Sequence, residues 1–109
     1  MTTNQHKTFV EVQMEAIEAI KTCYDPEIPV DIYELGLIYE IKVSIDLNVH
    51  VIMTLTSAFC PAAQTLPAEV QRKVEAIEEV KNVTVEVTFD PPWTQDMMSE
   101  AAKLELGFL

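Results

Sequence analysis

The chain has 109 residues, and its 18 acidic and 7 basic side chains give a formal net charge of −11 at pH 7. A surface this acidic repels the phosphates of nucleic acids and of anionic membranes, so neither is expected as a partner. No apolar run approaches the ~20 residues that span a bilayer, and no apolar secretory segment follows the polar first residues, so we expect a cytoplasmic protein. The apolar content of 49% and the length predict one folded domain, residues 1–109.

The first predicted element is a helix that begins after Thr8. Thr8 and Glu11 have the spacing of a capping box, in which each side chain bonds the backbone N–H of the other residue. We expect the helix to end near Cys23, because Asp25-Pro26 disfavours helical backbone before the proline. An apolar stripe at helical spacing is expected to face the core: Val10, Met14, Ile17 and Ile20.

An acidic loop with two prolines follows, from Asp25 to Gly36. Gly36 is predicted to adopt a backbone conformation that other residues resist. Four carboxylates share the loop with apolar residues, so we expect it to pack on the core and to be a place for function. The alternative is a structural connector whose carboxylates are solvated. The apolar residues are Ile28, Val30, Ile32 and Leu35.

Two alternating runs, Tyr39–Ile45 and Val49–Leu55, are separated by a short turn and predict an antiparallel hairpin. His50 lies near this turn and far from Cys60, so a catalytic Cys–His pair is poorly supported. A second amphipathic helix is expected to end at Lys81-Asn82. Pro67 either kinks it or marks where its regular part begins.

A third strand is predicted over Val83–Phe89, and a right-handed crossover follows if it lies parallel to the second strand. Asp90-Pro91-Pro92-Trp93 ends this strand, and Trp93 is expected to cover the core edge or the cysteine loop. A short helix capped by Thr94 follows, through Met97, Met98, Ala101 and Leu104. The predicted fold is therefore α/β (α+β): a single compact layer in the order α-β-β-α-β-α, with helices packed on a small mixed sheet.

Cys60 lies at the junction of the second strand and the second helix, followed by Pro61. The unpaired N–H groups and partial positive charge of a helix N-terminus favour a thiolate, and proline suits the first helical turn. The alternative is a small buried hydrophobic residue at a bend. The two cysteines and two histidines lack the paired spacing of a structural zinc site, and a Cys23–Cys60 disulfide is not favoured in a cytosolic chain.

Three stretches, in their order and separation, resemble the SufT/PaaD-like family of metal–sulfur cluster biosynthesis proteins. They are Asp25–Ile32 continuing to Leu35–Tyr39, the Thr56-x-x-x-Cys60-Pro61 segment, and Asp90–Thr94. The resemblance covers nearly the whole chain. Within this family the chain resembles a stand-alone SufT-like member, because no cysteine follows Cys60 and no P-loop sequence occurs. Ala58-Phe59 departs from the Pro-Gly-like turn expected before the cysteine.

The resemblance implies an accessory factor in iron–sulfur cluster assembly, and not an enzyme, that works with the assembly machinery and client apoproteins. The implied metal, cluster or thiol site is Cys60, Asp25, Glu27 and Thr56. The implied loop and lid around it are Asp31, Phe59, Pro61 and Trp93. Thiolates ligate clusters, and iron also accepts oxygen ligands.

A single cysteine cannot complete the ligand set of a cluster. Iron or a transient cluster would therefore be shared with a partner or across a homodimer, and not held stably by the monomer. We expect Asp25 and Cys60 to meet at one end of the sheet. Two alternatives remain: an interaction module in which Cys60 is structural, and, least favoured, an enzyme with Cys60 as nucleophile.

Overall fold

The computed structural model describes residues 7–24, 28–56 and 62–107, and within the last range the side chains from residue 65 onward. Its elements confirm the predicted order and the mixed sheet. They are α1 (Phe9–Ile20), β1 (Ile38–Val43), β2 (Asn48–Met53), α2 (Ala62–Glu75), β3 (Asn82–Val87), a 3-10 helix (Gln95–Met97) and α3 (Glu100–Glu105). None of the described helices is long and apolar enough to cross a membrane.

The sheet has the order β1-β2-β3, with β1 antiparallel and β3 parallel to β2. This arrangement confirms the predicted hairpin and makes β2-α2-β3 a parallel crossover. Apolar residues in register across the three strands, such as Ile41, Val51 and Val85, share one face of the sheet. Both α1 and α2 contact the sheet and each other, so the core lies between this face and the two helices.

The capping box of α1 is confirmed: Thr8 Oγ1 accepts from the Glu11 N–H at 3.1 Å, and Glu11 Oε1 accepts from the Thr8 N–H at 2.9 Å. The predicted core stripe is wrong for its first two residues, because Val10 is 50% and Met14 is 63% exposed. The row that packs on the sheet is Val12, Ala16 and Ile20, all fully buried. Both rows have helical spacing, and the small Ala16 lets the backbone approach the sheet closely.

Pro67 lies inside α2, so the helix neither starts nor stops there. The helix ends at Glu75 and not at Lys81 as predicted. The chain then turns through Glu79, whose φ of 75° is a left-handed conformation that no helix can contain. Ile77 packs on the core from this turn.

The chain after β3 also differs from its prediction. The single helix expected after Thr94 is divided into the 3-10 helix and α3, because Ser99 provides an N-cap of its own by accepting from the Ala102 N–H at 3.1 Å. Thr94 makes no side-chain cap bond. Met98 is buried, but Leu104 is 67% exposed, and Ala102 is buried in place of Ala101.

All three strand predictions extend two residues too far at their C-terminal ends, because β1 ends at Val43, β2 at Met53 and β3 at Val87. Ile45 lies in the hairpin turn with 84% of its surface exposed, and Phe89 lies beyond β3 and is 46% exposed. In each case the apolar alternation continues past the last residue that the neighbouring strand can pair.

Candidate functional site

The start of β1 and the ends of β2 and β3 lie side by side. Ile38 pairs with Met53, and Met53 pairs with Val87. The acidic loop that enters β1, the segment that leaves β2 toward Cys60, and the segment that leaves β3 toward Trp93 therefore share one end of the sheet. We call it the motif end. Ligand sites of open α/β sheets commonly lie outside the carboxyl ends of the strands.

Hydrogen bonds connect these three segments at the motif end. The Thr54 N–H, just beyond β2, donates to the Leu37 carbonyl at 2.7 Å. The Trp93 indole Nε1–H, beyond β3, donates to the Leu35 carbonyl at 2.8 Å. One bond ends on the acidic loop and the other on Leu37, the residue after it, so this stretch is the common support of the other two segments.

Aromatic side chains hold the Asp90–Trp93 stretch in place. Trp93 is half-buried and packs against the core, which is the first of the two positions predicted for it. The Tyr39 hydroxyl donates to the Pro91 carbonyl at 2.7 Å and lies 3.6 Å from Met97 Sδ.

Gly36 has the special backbone conformation that was predicted for it, with a φ of +84°. It passes so close to the Met97 carbonyl that a Cβ at this position would collide with the carbonyl oxygen.

Asp31 has a structural use within the acidic loop. Its Oδ1 accepts from the Tyr33 and Glu34 backbone N–H groups, both at 3.0 Å, and this pattern closes a turn. The next residue, Ile32, donates its N–H to the Cys23 carbonyl at 2.9 Å. Asp31 thus shapes the loop beside the site. The predicted packing of the loop is confirmed, since three of its apolar side chains are buried: Val30, Ile32 and Leu35.

Thr56 is exposed, whereas Thr54, two residues earlier, is fully buried. Among the residues that the structure describes, Thr54 Oγ1 is the one buried side-chain polar atom without a hydrogen-bond partner. Leaving such a hydroxyl unpaired costs about 1–3 kcal/mol. Sequence reasoning missed Thr54, and the available signal was a hydroxyl between two apolar residues, Met53 and Leu55.

Cys23 is a fully buried free thiol. Burial raises the pKa of this thiol, the nearby Glu69 carboxylate raises it further, and Lys73 and Arg72 act in the opposite direction. Cys23 is therefore a neutral thiol at pH 7. It belongs to the packing between α1, α2 and the acidic loop, and it does not offer a second thiolate.

Several predicted site residues lie outside the described ranges, namely Asp25, Glu27, Phe59, Cys60 and Pro61. The predicted meeting of Asp25 and Cys60 lies outside them as well and stays a prediction. Within residues 7–24, 28–56 and 62–107, no three His, Cys, Asp or Glu side chains form a group that could hold a metal ion.

The chain matches the model of a family described as iron-sulfur cluster assembly protein over residues 13–87. It belongs to this family. The membership confirms the resemblance drawn from the three stretches, two of which fall within the matched residues. The match ends before Asp90, so the Pro-Pro-Trp stretch is not part of it.

Individual members of the iron-sulfur cluster assembly family are similar over most of the chain. An Fe-S protein maturation auxiliary factor of Porphyromonas gingivalis is 50% identical over 101 residues, which are 93% of this chain and 96% of the relative. The Fe-S protein maturation auxiliary factor SufT of Staphylococcus aureus is 41% identical over 83 residues, or 76% and 94% of the two chains. A crystal structure of a domain of unknown function, DUF59, from Bacillus anthracis has a TM-score of 0.83 at 32% identity, with 90% and 93% of the two chains covered.

Proposed function

We propose that this chain is an accessory factor in the maturation of iron–sulfur proteins and that it acts through the Cys60 thiol. In this proposal the thiol makes a transient bond to iron or to a cluster, which is the cargo and not a resident cofactor. Membership of the iron-sulfur cluster assembly family and the names of the relatives support the general role. The role of Cys60 is proposed from the end of the sheet at which the chain leaves β2 toward it.

The observation that carries the proposal is the convergence of three segments at the motif end. The chain leaves β2 toward Cys60 at the same end at which the acidic loop enters β1. In the proposal, the Cys60 thiol and carboxylates of the acidic loop supply the sulfur and oxygen ligands that iron accepts before and after cluster closure. Asp25 and Glu27 are the carboxylates proposed for this role, and Thr56 the neighbouring hydroxyl.

The properties of Cys23 support the choice of Cys60 as the reactive thiol, because they exclude Cys23 from that role. Its thiol is buried and its pKa is raised, so it is a poor metal ligand and a poor nucleophile. Cys60 is the remaining thiol of the sequence. Because one thiolate cannot complete a cluster site, a partner apoprotein, the assembly machinery or a second protomer completes the ligand set. We propose a factor of this kind, and not a catalyst.

The experiment is complementation of a deletion strain. The gene is deleted in its host, and an iron–sulfur-dependent dehydratase is assayed under iron limitation. Plasmids supply the wild type, Cys60→Ala, or Cys23→Ala as a matched control that also removes one thiol. We expect lost activity to be restored by the wild type and by Cys23→Ala, but not by Cys60→Ala.

Two outcomes contradict the proposal. Equal rescue by Cys60→Ala at matched protein levels makes the thiol dispensable and favours an interaction module. An unchanged dehydratase activity after deletion removes the maturation role itself.

A further inference from the structure

The apolar row of α1 that does not pack on the sheet forms a continuous surface. Val10 is 50% exposed, Met14 is 63% exposed, and Ile17 is half-buried. These residues follow the spacing i, i+4, i+7, so they are neighbours along one side of the helix. We call them the α1 stripe. An amphipathic helix normally buries such a row, and here another row occupies the core.

One side of the α1 stripe borders the free edge of the sheet. Gln13 lies three and four residues from Val10 and Ile17, and its Nε2 donates to the Ile41 carbonyl at 3.1 Å. The Ser44 N–H bonds the Asn48 carbonyl, so alternate residues of β1 direct their backbone groups toward β2, and Ile41 directs its groups outward. The stripe therefore runs along the outer edge of β1, which no described strand covers.

The other side of the α1 stripe is acidic. Glu11 and Glu18 are three and four residues from Met14, so their carboxylates flank it on the helix surface. The neighbouring Glu15 is neutralised by Lys7, whose Nζ lies 3.0 Å from Glu15 Oε1. Glu18 forms no ion pair with any residue that the structure describes.

We propose that the α1 stripe is a docking surface for a basic amphipathic segment of a partner protein. Apolar side chains of that segment cover Val10 and Met14, and its Lys or Arg side chains pair with Glu11 and Glu18. An apolar row beside carboxylates is the complement of such a segment, which would lie along α1 as helices lie in apolar grooves. The net charge of −11 opposes a second copy of this chain as occupant. The proposal is independent of Cys60.

The test is a titration of the isotope-labelled full chain with a synthetic helical peptide of about four turns, followed by NMR. The peptide carries leucines along one face and lysines along the flanks, and a second peptide carries glutamates in place of the lysines. We expect the lysine peptide to shift the backbone amide signals of α1 around Met14 and to bind at least about tenfold more tightly than the glutamate peptide. Raised salt is expected to weaken the binding.

Variants separate the apolar and charged contributions. Val10→Gln with Met14→Gln keeps the helix-forming tendency, and we expect roughly tenfold weaker binding from the loss of two apolar contacts. Glu11→Gln with Glu18→Gln keeps a capping side chain at position 11 and is expected to lower the affinity several-fold and to flatten its salt dependence. Leu104→Gln is the matched control, because Leu104 is 67% exposed on α3, away from the stripe. The Leu104→Gln protein should bind the lysine peptide as tightly as the wild type does.

Three results would overturn the docking proposal. The first is equal binding of the two peptides, and the second is unchanged binding by the Val10→Gln and Met14→Gln protein with its helix content intact. The third is a concentration-dependent dimer in sedimentation that Met14→Gln abolishes, since a second copy would then be the occupant.

Discussion

The two ends of the sheet are held together by different kinds of contact. At the motif end, bonds from Thr54, Trp93 and Tyr39 join segments that are far apart in the sequence, and most of them end on backbone carbonyls. At the opposite end, which contains the hairpin turn, the side-chain contacts are exposed pairs. Asn82 Nδ2, for example, donates to Asn48 Oδ1 at 3.2 Å.

This difference shows which parts of the chain depend on tertiary contacts for their conformation. The described parts of the loops at the motif end have little regular secondary structure, yet they are fixed by buried apolar residues and by bonds across the three segments. At the hairpin end one described bond also joins distant segments, from the Lys81 N–H to the Leu47 carbonyl at 3.0 Å, but the neighbouring residues belong to regular, paired strands. We therefore expect substitutions at the motif end to have large effects and substitutions at the hairpin end to have small ones.

Gly36→Ala is expected to have the largest effect. The new Cβ would collide with the Met97 backbone carbonyl, and φ of +84° is strained for alanine. We expect a loss of about 3 kcal/mol or more in the free energy of unfolding, measured by urea denaturation. Gly107→Ala is the matched control, because Gly107 has a φ of +85° with nothing within 4 Å of the added Cβ. The Gly107→Ala protein should lose about 1 kcal/mol in the free energy of unfolding. Equal losses in both variants would show that the motif end accommodates the added Cβ beside the Met97 carbonyl.

The buried thiol beneath the acidic loop predicts a dependence of stability on pH. The pKa of Cys23 is raised in the folded chain, so above the unfolded thiol pKa of about 8.5 the folded state binds more protons than the unfolded state. The contribution of the neutral Cys23 thiol to the free energy of unfolding is complete below that pH. As the pH rises further, this contribution falls by at most about 1.4 kcal/mol per pH unit. We expect the wild type to lose stability more steeply than Cys23→Ala between pH 8.5 and 10. Parallel curves would contradict the burial of Cys23.

Thr54→Val tests the unpaired hydroxyl at the motif end. Valine has nearly the same shape, and replacing an unpartnered buried hydroxyl should raise the free energy of unfolding by about 1 kcal/mol. Thr56→Val, at an exposed position two residues later, should leave it nearly unchanged. Thermal or urea unfolding measures both. A destabilised Thr54→Val protein would mean that the hydroxyl is bonded in solution.

The smallest effect is expected at His50, which lies in the half of β2 nearer the hairpin turn. His50 and Glu86 form an exposed pair, and such pairs contribute about 0–1 kcal/mol. His50→Ala should therefore change stability by less than about 0.5 kcal/mol and should complement the deletion strain as the wild type does. If the His50→Ala protein has normal stability but fails to complement the deletion strain, the functional residues would lie in this half of the sheet and the comparison of the two ends would be reversed.

The sequence predicted the features that depend on local chemistry. The capping box of Thr8 and Glu11, the hairpin, and the left-handed Gly36 each follow from residue types at fixed spacing. The faces of α1 were not predictable, because Val10–Met14 and Val12–Ala16 are both apolar rows and only the tertiary contact selects one. The isolation of Thr54 Oγ1 depends on contacts across the motif end, which no local pattern encodes. The turn that Asp31 closes is local, because its carboxylate accepts from residues two and three positions further along the chain.

The most direct test of the account is the position of the Cys60 thiol relative to the two ends. A nitroxide spin label is attached to Cys60 in the Cys23→Ala protein, and the broadening of backbone amide signals is measured by NMR. Each strand has six residues, so the two ends lie about 20 Å apart. The account predicts strong broadening at Tyr24, Leu37 and Trp93 and little at Ile45 and Asp46. Strong broadening at Ile45 and Asp46 with sharp signals at Tyr24 and Trp93 would contradict it.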